Sequence, residues 1–471
     1  MIYEIILILL VVGSIVVVIS ENRKPFISVF WIMFIMLLPG VGLVFYYLLG
    51  KDYRGRRTIK TDELARLDAL RNSAVGDAVV SEPHKDKYQK LAGMMQKAND
   101  TPLLSGNQMQ IFTDFTPMFQ SMLDDMAAAK SFIHIQFYIV ENDEVGHQLS
   151  DLLIRKVQEG VDVRLMYDSC ANLFVHSEYY DRMRKNGVKV KAFQRFLPAL
   201  FNREVNCRTH RKIVVIDGQT GYTGGMNIAR RYRDGINHGV WRDTQIRLVG
   251  PAVTQLEVSF LSDWRFCTRE LLDTPKYFPL QDIKNPDGQA IIQIVTSGPM
   301  DEWNTIMQGM MQMIAQSQRY LYIQTPYFTP PQPILLAIRN AALAGVDVRV
   351  MLPASSDRGA ITRLASQSYF RDLLPAGVKI YLYRHGFLHA KTIVCDDDFT
   401  TIGSTNLDAR SLEQNFEVNA FIYDDTIAMK QRDIFLEDIN ECTLVDPEEW
   451  SGRPRLQKFL ESSARILTPI L

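Results

Sequence analysis

The chain has 471 residues, and its 52 Lys+Arg against 53 Asp+Glu give a formal net charge of -1. That length predicts roughly three structural units, and the charge balance excludes a chain that holds a polyanion through a global basic field. With 47% hydrophobic and 22% charged residues it is neither disordered nor collagen-like, and its five scattered cysteines, with no C-x-x-C pair, indicate neither zinc nor dithiol chemistry and fit a reducing compartment.

From Ile5 to Ile19 every residue except Gly13 and Ser14 is apolar, which predicts a membrane-spanning helix over about 2–20. The polar run from Glu21 to Pro25 precedes an uncharged stretch, 26–49, that predicts a second span kinked at Pro39-Gly40. The start lacks the basic region and the A-x-A site of a cleaved signal peptide. Lys51, Arg54, Arg56, Arg57 and Lys60 follow the second stretch, against Arg23 and Lys24 between the two. The expectation is therefore a two-helix transmembrane hairpin, residues 1–58, with both termini cytoplasmic. Residues 59–100 read as a polar linker with helical stretches.

Beyond the linker the chain repeats itself. Gly160-Val-Asp-Val-Arg-Leu-Met166 recurs as Gly345-Val-Asp-Val-Arg-Val-Met351, and Ile133-His-Ile-Gln136 matches Leu321-Tyr-Ile-Gln324. Within each copy, short β-rich runs such as Phe132 to Val140 and Val161 to Tyr167 alternate with helical patterns such as Val145 to Glu159. That alternation predicts two α/β domains, 101–272 and 285–471, with a largely parallel sheet in each and a Pro-containing connection between them.

The duplication carries a polar motif. His210, Lys212, Asp217, Gly224, Gly225 and Asn227 return as His389, Lys391, Asp396, Gly403, Ser404 and Asn406, each 179 residues later. His and Lys two apart share one face of an extended strand and can reach one ligand. A neutral imidazole beside a fixed ammonium suits attack on phosphorus, with Lys212 and Lys391 neutralising the non-bridging oxygens. Gly225, Asn227, Ser404 and Asn406 are candidates for a phosphate cradle, and Asp217 and Asp396 read as strand-end members of the motif. One copy holds half of what phosphodiester exchange needs, a nucleophile on one side of phosphorus and an acid on the other. The solitary histidines His84, His134, His147 and His176 carry no such partner and are assigned no role.

At these residues the chain resembles the phospholipase D superfamily, whose mark is H-x-K-x4-D-x6-G-[GS]-x-N twice in one chain. The N-terminal hairpin, the Leu38-Pro-Gly-Val-Gly42 segment and the basic run after it resemble bacterial cardiolipin synthases. The resemblance implies two α/β domains with a shared cleft, no metal or other cofactor, and a phosphohistidine intermediate. It also implies transfer of a phosphatidyl group between two phosphatidylglycerol molecules with release of glycerol, at the inner membrane of a bacterial cell. It makes His210 the nucleophile and His389 the general acid. By position within each copy, Glu417 would orient His389 and Asp243 would orient His210. A hydrolysing phospholipase D, a phosphatidylserine synthase and a nuclease remain alternatives, the nuclease disfavoured by the neutral charge, and a lipid-binding scaffold would be expected to have lost a motif residue. No G-x-x-x-x-G-K-[ST] loop for a nucleotide is found.

The first copy carries 11 extra residues just before His210, since the repeat offset falls from 190 at Gly187/Gly377 to 179 at the histidines. The insertion adjoins Phe196, Leu197 and Phe201 between Arg195 and Arg203, a composition suited either to dipping into a lipid headgroup region or to a packed lid.

Overall fold

The computed structural model describes residues 2–21, 25–50, 59–80, 83, 85–193, 208–236, 239–281 and 290–468. Phe196, Leu197 and Phe201, expected to dock on lipid, lie outside the described residues.

The apolar N-terminus forms helix α1, Ile2–Ser20. The second apolar stretch is not one kinked helix. It is two helices, α2 (Pro25–Leu37) and α3 (Pro39–Leu49), that fold back on each other at Leu38, whose φ of -132° and ψ of 71° leave the helical region where Pro39 follows. The ring of Phe34 lies 6.0 Å from that of Phe45, and Trp31 lies 5.4 Å from Tyr46, so the helices are antiparallel neighbours. A Cβ on Gly42 would stand 2.8 Å from Ile35 Cα, so the close approach needs glycine there. Tyr46 Oη donates to Glu21 Oε2 at 2.9 Å, which ties the far end of α3 to the end of α1. Arms of 13 and 11 residues reach about 20 and 17 Å at 1.5 Å per residue, short of the ~30 Å hydrocarbon core. Among the described residues no helix is long and apolar enough to cross a membrane.

The stretch expected to be a linker is docked rather than free. Leu67 and Ala74, on the helix Thr61–Val75, join the apolar cluster of Val253 and Leu256, while Leu91 and Met95, on the helix Gln89–Asn99, join that of Ile306, Met310 and Met313.

Two sheets follow. A short strand β1 (Val79–Val80) pairs with β2 (Leu103–Phe112). In the first copy β3 (Phe132–Phe137), β4 (Asp162–Asp168) and β5 (Lys189–Phe193) are parallel, in the order β5-β4-β3. After β6 (Arg208–Thr209) come β7 (Ile213–Ile216) and β8 (Thr220–Gly224), then β9 (Val240–Arg242) and β10 (Gln245–Val249), and the sheet continues antiparallel as β3-β7-β8-β10. The second copy supplies β11 (Ala290–Ser297), β12 (Tyr320–Gln324), β13 (Phe328–Thr329), β14 (Asp347–Pro353), β15 (Lys379–Tyr383), β16 (Gly386–Leu388), β17 (Thr392–Cys395), β18 (Phe399–Gly403), β19 (Leu407–Asp408) and β20 (Asn415–Tyr423). It repeats the order, with β15-β14-β12 parallel and β12-β17-β18-β20 antiparallel. The duplicated motifs therefore occupy equivalent strands of equivalent sheets.

The long strand β2 joins the sheets. Its last five residues, from Gln108 to Phe112, pair with β10, and earlier ones pair with β11, which in turn pairs with β20. The helix Ala252–Thr268 is buried against both halves, in one cluster that holds Ile246 and Leu248 with Ile292, Ile294 and Val418. Two short parallel ladders then cross between the copies. Arg208 and Thr209 of β6 pair with Asn415 and Phe416 of β20, and Val240 to Arg242 of β9 pair with Gly386 to Leu388 of β16.

Candidate active site

Each crossing ladder delivers one motif histidine. His210 follows β6 directly, and its backbone N–H donates to Phe416 O at 2.8 Å; His389 follows β16, and its N–H donates to Arg242 O at 2.6 Å. The next residue along each partner strand is an acid. His210 Nδ1 donates to Glu417 Oε2 at 3.0 Å, and His389 Nδ1 donates to Asp243 Oδ2 at 2.5 Å. This reverses the pairing expected from position within each copy: Glu417 orients His210 and Asp243 orients His389. The physical reason is the strand pairing, since a parallel ladder sets the acid of one copy beside the histidine of the other. Both acids are fully buried. Using Nδ1 as donor fixes the tautomer and leaves Nε2 of each imidazole as the reactive nitrogen.

The lysines stand where the two-residue spacing puts them. Lys212 Nζ donates to His210 O at 2.7 Å, and Lys391 Nζ donates to His389 O. Lys391 Nζ is also 2.9 Å from His389 Nδ1. That nitrogen already gives its one hydrogen to Asp243, so Lys391 acts on it as a neighbouring charge.

Burial dominates the electrostatics. It pushes His210 down to about 4 and His389 to about 3, with Lys212 and Lys391 adding to the effect and the paired carboxylates opposing it. Burial likewise lowers Lys212 to about 7 and Lys391 to about 8. Burial alone would raise Glu417 and Asp243, but His210 and Lys212 around the first, and Lys391 and His389 around the second, hold both carboxyls below their ordinary value. Lys391 acts on His210 and Lys212 acts on His389, so the two half-sites share one field. Below about pH 7 the site therefore holds two ammonium groups, two carboxylates and two neutral imidazoles.

The remaining motif residues divide by role. Asp217 accepts the backbone N–H groups of Lys130, Ser131 and Phe132 at 2.7–2.8 Å, and Asp396 accepts those of Gln318, Arg319 and Tyr320 at 2.8–3.2 Å. Both Asp residues have positive φ, 50° and 57°, and anchor the entry to β3 and β12; they are structural. Gly225 is required by the orienting acid, because a Cβ there would lie 2.1 Å from Asp243 Oδ1. Ser404 Oγ donates to Glu417. Asn227 is consumed within the protein, its Oδ1 accepting Ile139 N–H at 3.1 Å and its Nδ2 donating to Tyr232 Oη at 2.5 Å. Asn406 is buried with no protein partner for Oδ1, and a 180° turn of its amide presents Nδ2 at the same point. Of the four expected phosphate-cradle residues, Asn406 alone keeps an unused amide end.

The sequence reading missed the aromatic wall. The ring of Tyr138 lies 5.0 Å from that of His210, and Trp241, Tyr232 and Tyr327 lie 5.1, 5.9 and 6.4 Å from His389. Arg358 stacks on Tyr327 at 4.1 Å. A signal was present, since each copy carries a tyrosine two or three residues after the repeated Gln136 or Gln324. Near-apolar walls around a charged pair keep water out and strengthen its fields.

A family described as "Cardiolipin synthase, PLD-like domain" matches residues 122–264 and 310–439. The major cardiolipin synthase of Bacillus subtilis (strain 168) is 37% identical over 469 residues, covering 97% of this chain and 96% of that protein. A cardiolipin synthase of Listeria monocytogenes serotype 4b (strain F2365) is 35% identical over 480 residues, covering 99% and 98%. Among solved structures, phosphatidylserine synthase of Haemophilus influenzae Rd KW20 superposes with a TM-score of 0.62 at 18% identity, covering 81% of this chain and all of that one, a likeness of fold.

The shifted groups set the pH dependence of kcat/KM on a phosphodiester. A histidine that attacks phosphorus must be neutral, and because burial lowers His210 to about 4, loss of activity by protonation of that nitrogen should set in only as pH drops through about 4, while the need of a second buried histidine to gain a proton weakens activity as pH rises. Lysine must be charged to hold phosphate, so activity should also fall as pH rises through about 7 and then 8. Steady-state rates from pH 4 to 10 check both limbs.

Proposed function

The chain belongs to the cardiolipin synthase family of phospholipase D-like proteins, and on that premise we propose that it is a phosphatidyltransferase that joins two molecules of phosphatidylglycerol into cardiolipin and releases glycerol. The crossed histidine–carboxylate pairs carry this reading, because they supply two oriented imidazoles with a lysine beside each. His210 Nε2 attacks the donor phosphorus. The bond to the glycerol headgroup oxygen breaks, and His389 gives that oxygen its proton. His389, now neutral, takes the proton of the acceptor's hydroxyl, whose oxygen displaces His210 from phosphorus. A phosphodiester anion entering the buried site raises the proton affinity of His389 above its low resting value, which lets it serve as the acid. Lys212, Lys391 and an Asn406 amide hold the non-bridging oxygens. One phosphodiester replaces another, so little driving energy is needed.

The N-terminal helices, on this reading, anchor the chain in a bacterial cell membrane with the catalytic domains on the cytoplasmic side. Because α2 and α3 fold back, the ends of α1 and α3 lie together, as the Glu21–Tyr46 hydrogen bond records. In the sequence, Arg23 and Lys24 follow α1 and the basic run from Lys51 to Lys60 follows α3, in keeping with the preference of basic residues for the cytoplasmic side.

Three experiments test these statements. Purified protein given labelled phosphatidylglycerol should yield cardiolipin and free glycerol; phosphatidic acid as the main product would make it a hydrolase. Asp243→Asn should cut turnover on phosphatidylglycerol by about 10³–10⁴-fold, yet largely spare the release of an aryl leaving group that needs no acid, while Glu417→Gln should impair both. The reverse pattern would give His389 the nucleophile's role. Reporters inserted after Asn22 and after Arg57 should both read cytoplasmic; opposite sides would restore two full spans.

A further inference from the structure

The C-terminal helix Arg455–Ile466 packs by one side on the second domain, where Glu461 and Ala464 are buried. Its other side is an apolar stripe left in solvent. Leu456, Phe459 and Ile466 are 68%, 67% and 78% exposed, and Leu460 and Leu467 are 45% and 40% exposed. At 100° per residue these five fall within about a third of the helix circumference. The flanks are cationic. Arg453, Arg455, Lys458 and Arg465 stand against a single acid, Glu461, which is held by Arg453 at 2.6 and 3.1 Å. Arg465 is paired with Asp372 at 2.7 Å, and among the described residues Arg455 and Lys458 have no carboxylate partner. Beside the helix a cavity of about 400 Å³ is lined by Arg371, Arg453, Lys458 and Arg465 with the same one acid.

On the helix itself a protein partner would meet an apolar ridge beside the cations Arg455, Lys458 and Arg465, with its one acid, Glu461, buried and already held by Arg453. A bilayer bearing anionic phospholipid meets both at once, acyl chains against the stripe and phosphates against the cations. We propose that the helix Arg455–Ile466 is an interfacial docking element for the anionic bilayer surface, separate from the N-terminal anchor. The stripe inserts below the headgroups, Arg455 and Lys458 hold phosphates at its edge, and the catalytic body is fixed to the membrane at a second point. This rests in part on the substrate being an anionic lipid, but the docking is read without turnover.

The test uses the full chain in proteoliposomes, with Phe459→Cys labelled by an environment-sensitive fluorophore in a Cys170→Ser background. In vesicles of phosphatidylglycerol and phosphatidylcholine the probe should shift to the blue and be quenched by nitroxide lipids; in pure phosphatidylcholine it should stay in water. Arg455→Glu with Lys458→Glu should abolish a preference for the anionic vesicles of about 30-fold. Leu456→Ser, Phe459→Ser and Ile466→Ser together should raise KM on bilayer substrate, leaving kcat on a short-chain soluble phosphodiester and the melting temperature unchanged. A water-exposed probe in anionic vesicles, equal losses on both substrates, or a stripe buried between two copies of the chain in solution would each overturn the proposal. Docking without cardiolipin formation would instead sink the functional reading and leave this one standing.

Discussion

Two imidazole–carboxylate hydrogen bonds, His210 to Glu417 and His389 to Asp243, cross from one copy to the other, and the arrangement of the site depends on both being made. A carboxylate buried without a charged partner costs several kcal/mol, so neither copy can close its own half-site cheaply. The crossing explains features that would otherwise look independent. The β6–β20 and β9–β16 ladders are only two and three residue pairs long, yet each one places an acid one residue beyond its last pair, next to a histidine of the other copy. The motif glycines serve the same end: Gly225 opens room for Asp243, and Gly403 lets Asn419 come close, with Asn419 Oδ1 2.3 Å from where a Cβ would stand.

The charge balance of the resting site follows from the same geometry. Burial makes both histidines reluctant to take a proton and both lysines ready to lose one, while the carboxylates stay ionised because the cations surround them. A phosphodiester anion in this site would add negative charge beside the lysines and histidines. On the proposed mechanism, recognition of the phosphate and activation of the acid would be a single electrostatic event, beside the rings of Tyr138, Trp241, Tyr232 and Tyr327.

The motif histidines and lysines are buried between two sheets that β2 joins. The fold-back of α2 on α3 brings the end of α3 beside the end of α1, where Tyr46 meets Glu21. An amphipathic helix at the opposite end of the sequence carries a further exposed apolar stripe. The two lie at opposite ends of the chain, on either side of the catalytic domains.

The sequence by itself determined the duplication, the α/β class, and the placing of a lysine beside each motif histidine. A 179-residue offset kept at six positions admits no other register, and a His-x-Lys spacing on an extended strand puts both groups on one face whatever the surrounding fold. Asp217 and Asp396 were legible as strand-end residues for the same local reason. Which acid serves which histidine was not legible. The spacings from His389 to Glu417 and from His210 to Asp243 pointed within each copy, and a constant offset is equally satisfied by pairing within copies or across them. Nor did the apolar run 26–49 reveal its reversal, since hydropathy counts residues and is blind to whether Leu38 leaves the helical region. Both were decided by tertiary structure alone: the first by parallel ladders between residues about 145 and 207 apart in sequence, the second by ring packing of Trp31 on Tyr46 and of Phe34 on Phe45, because contacts so distant along the chain leave no trace in the local periodicity that sequence reading depends on.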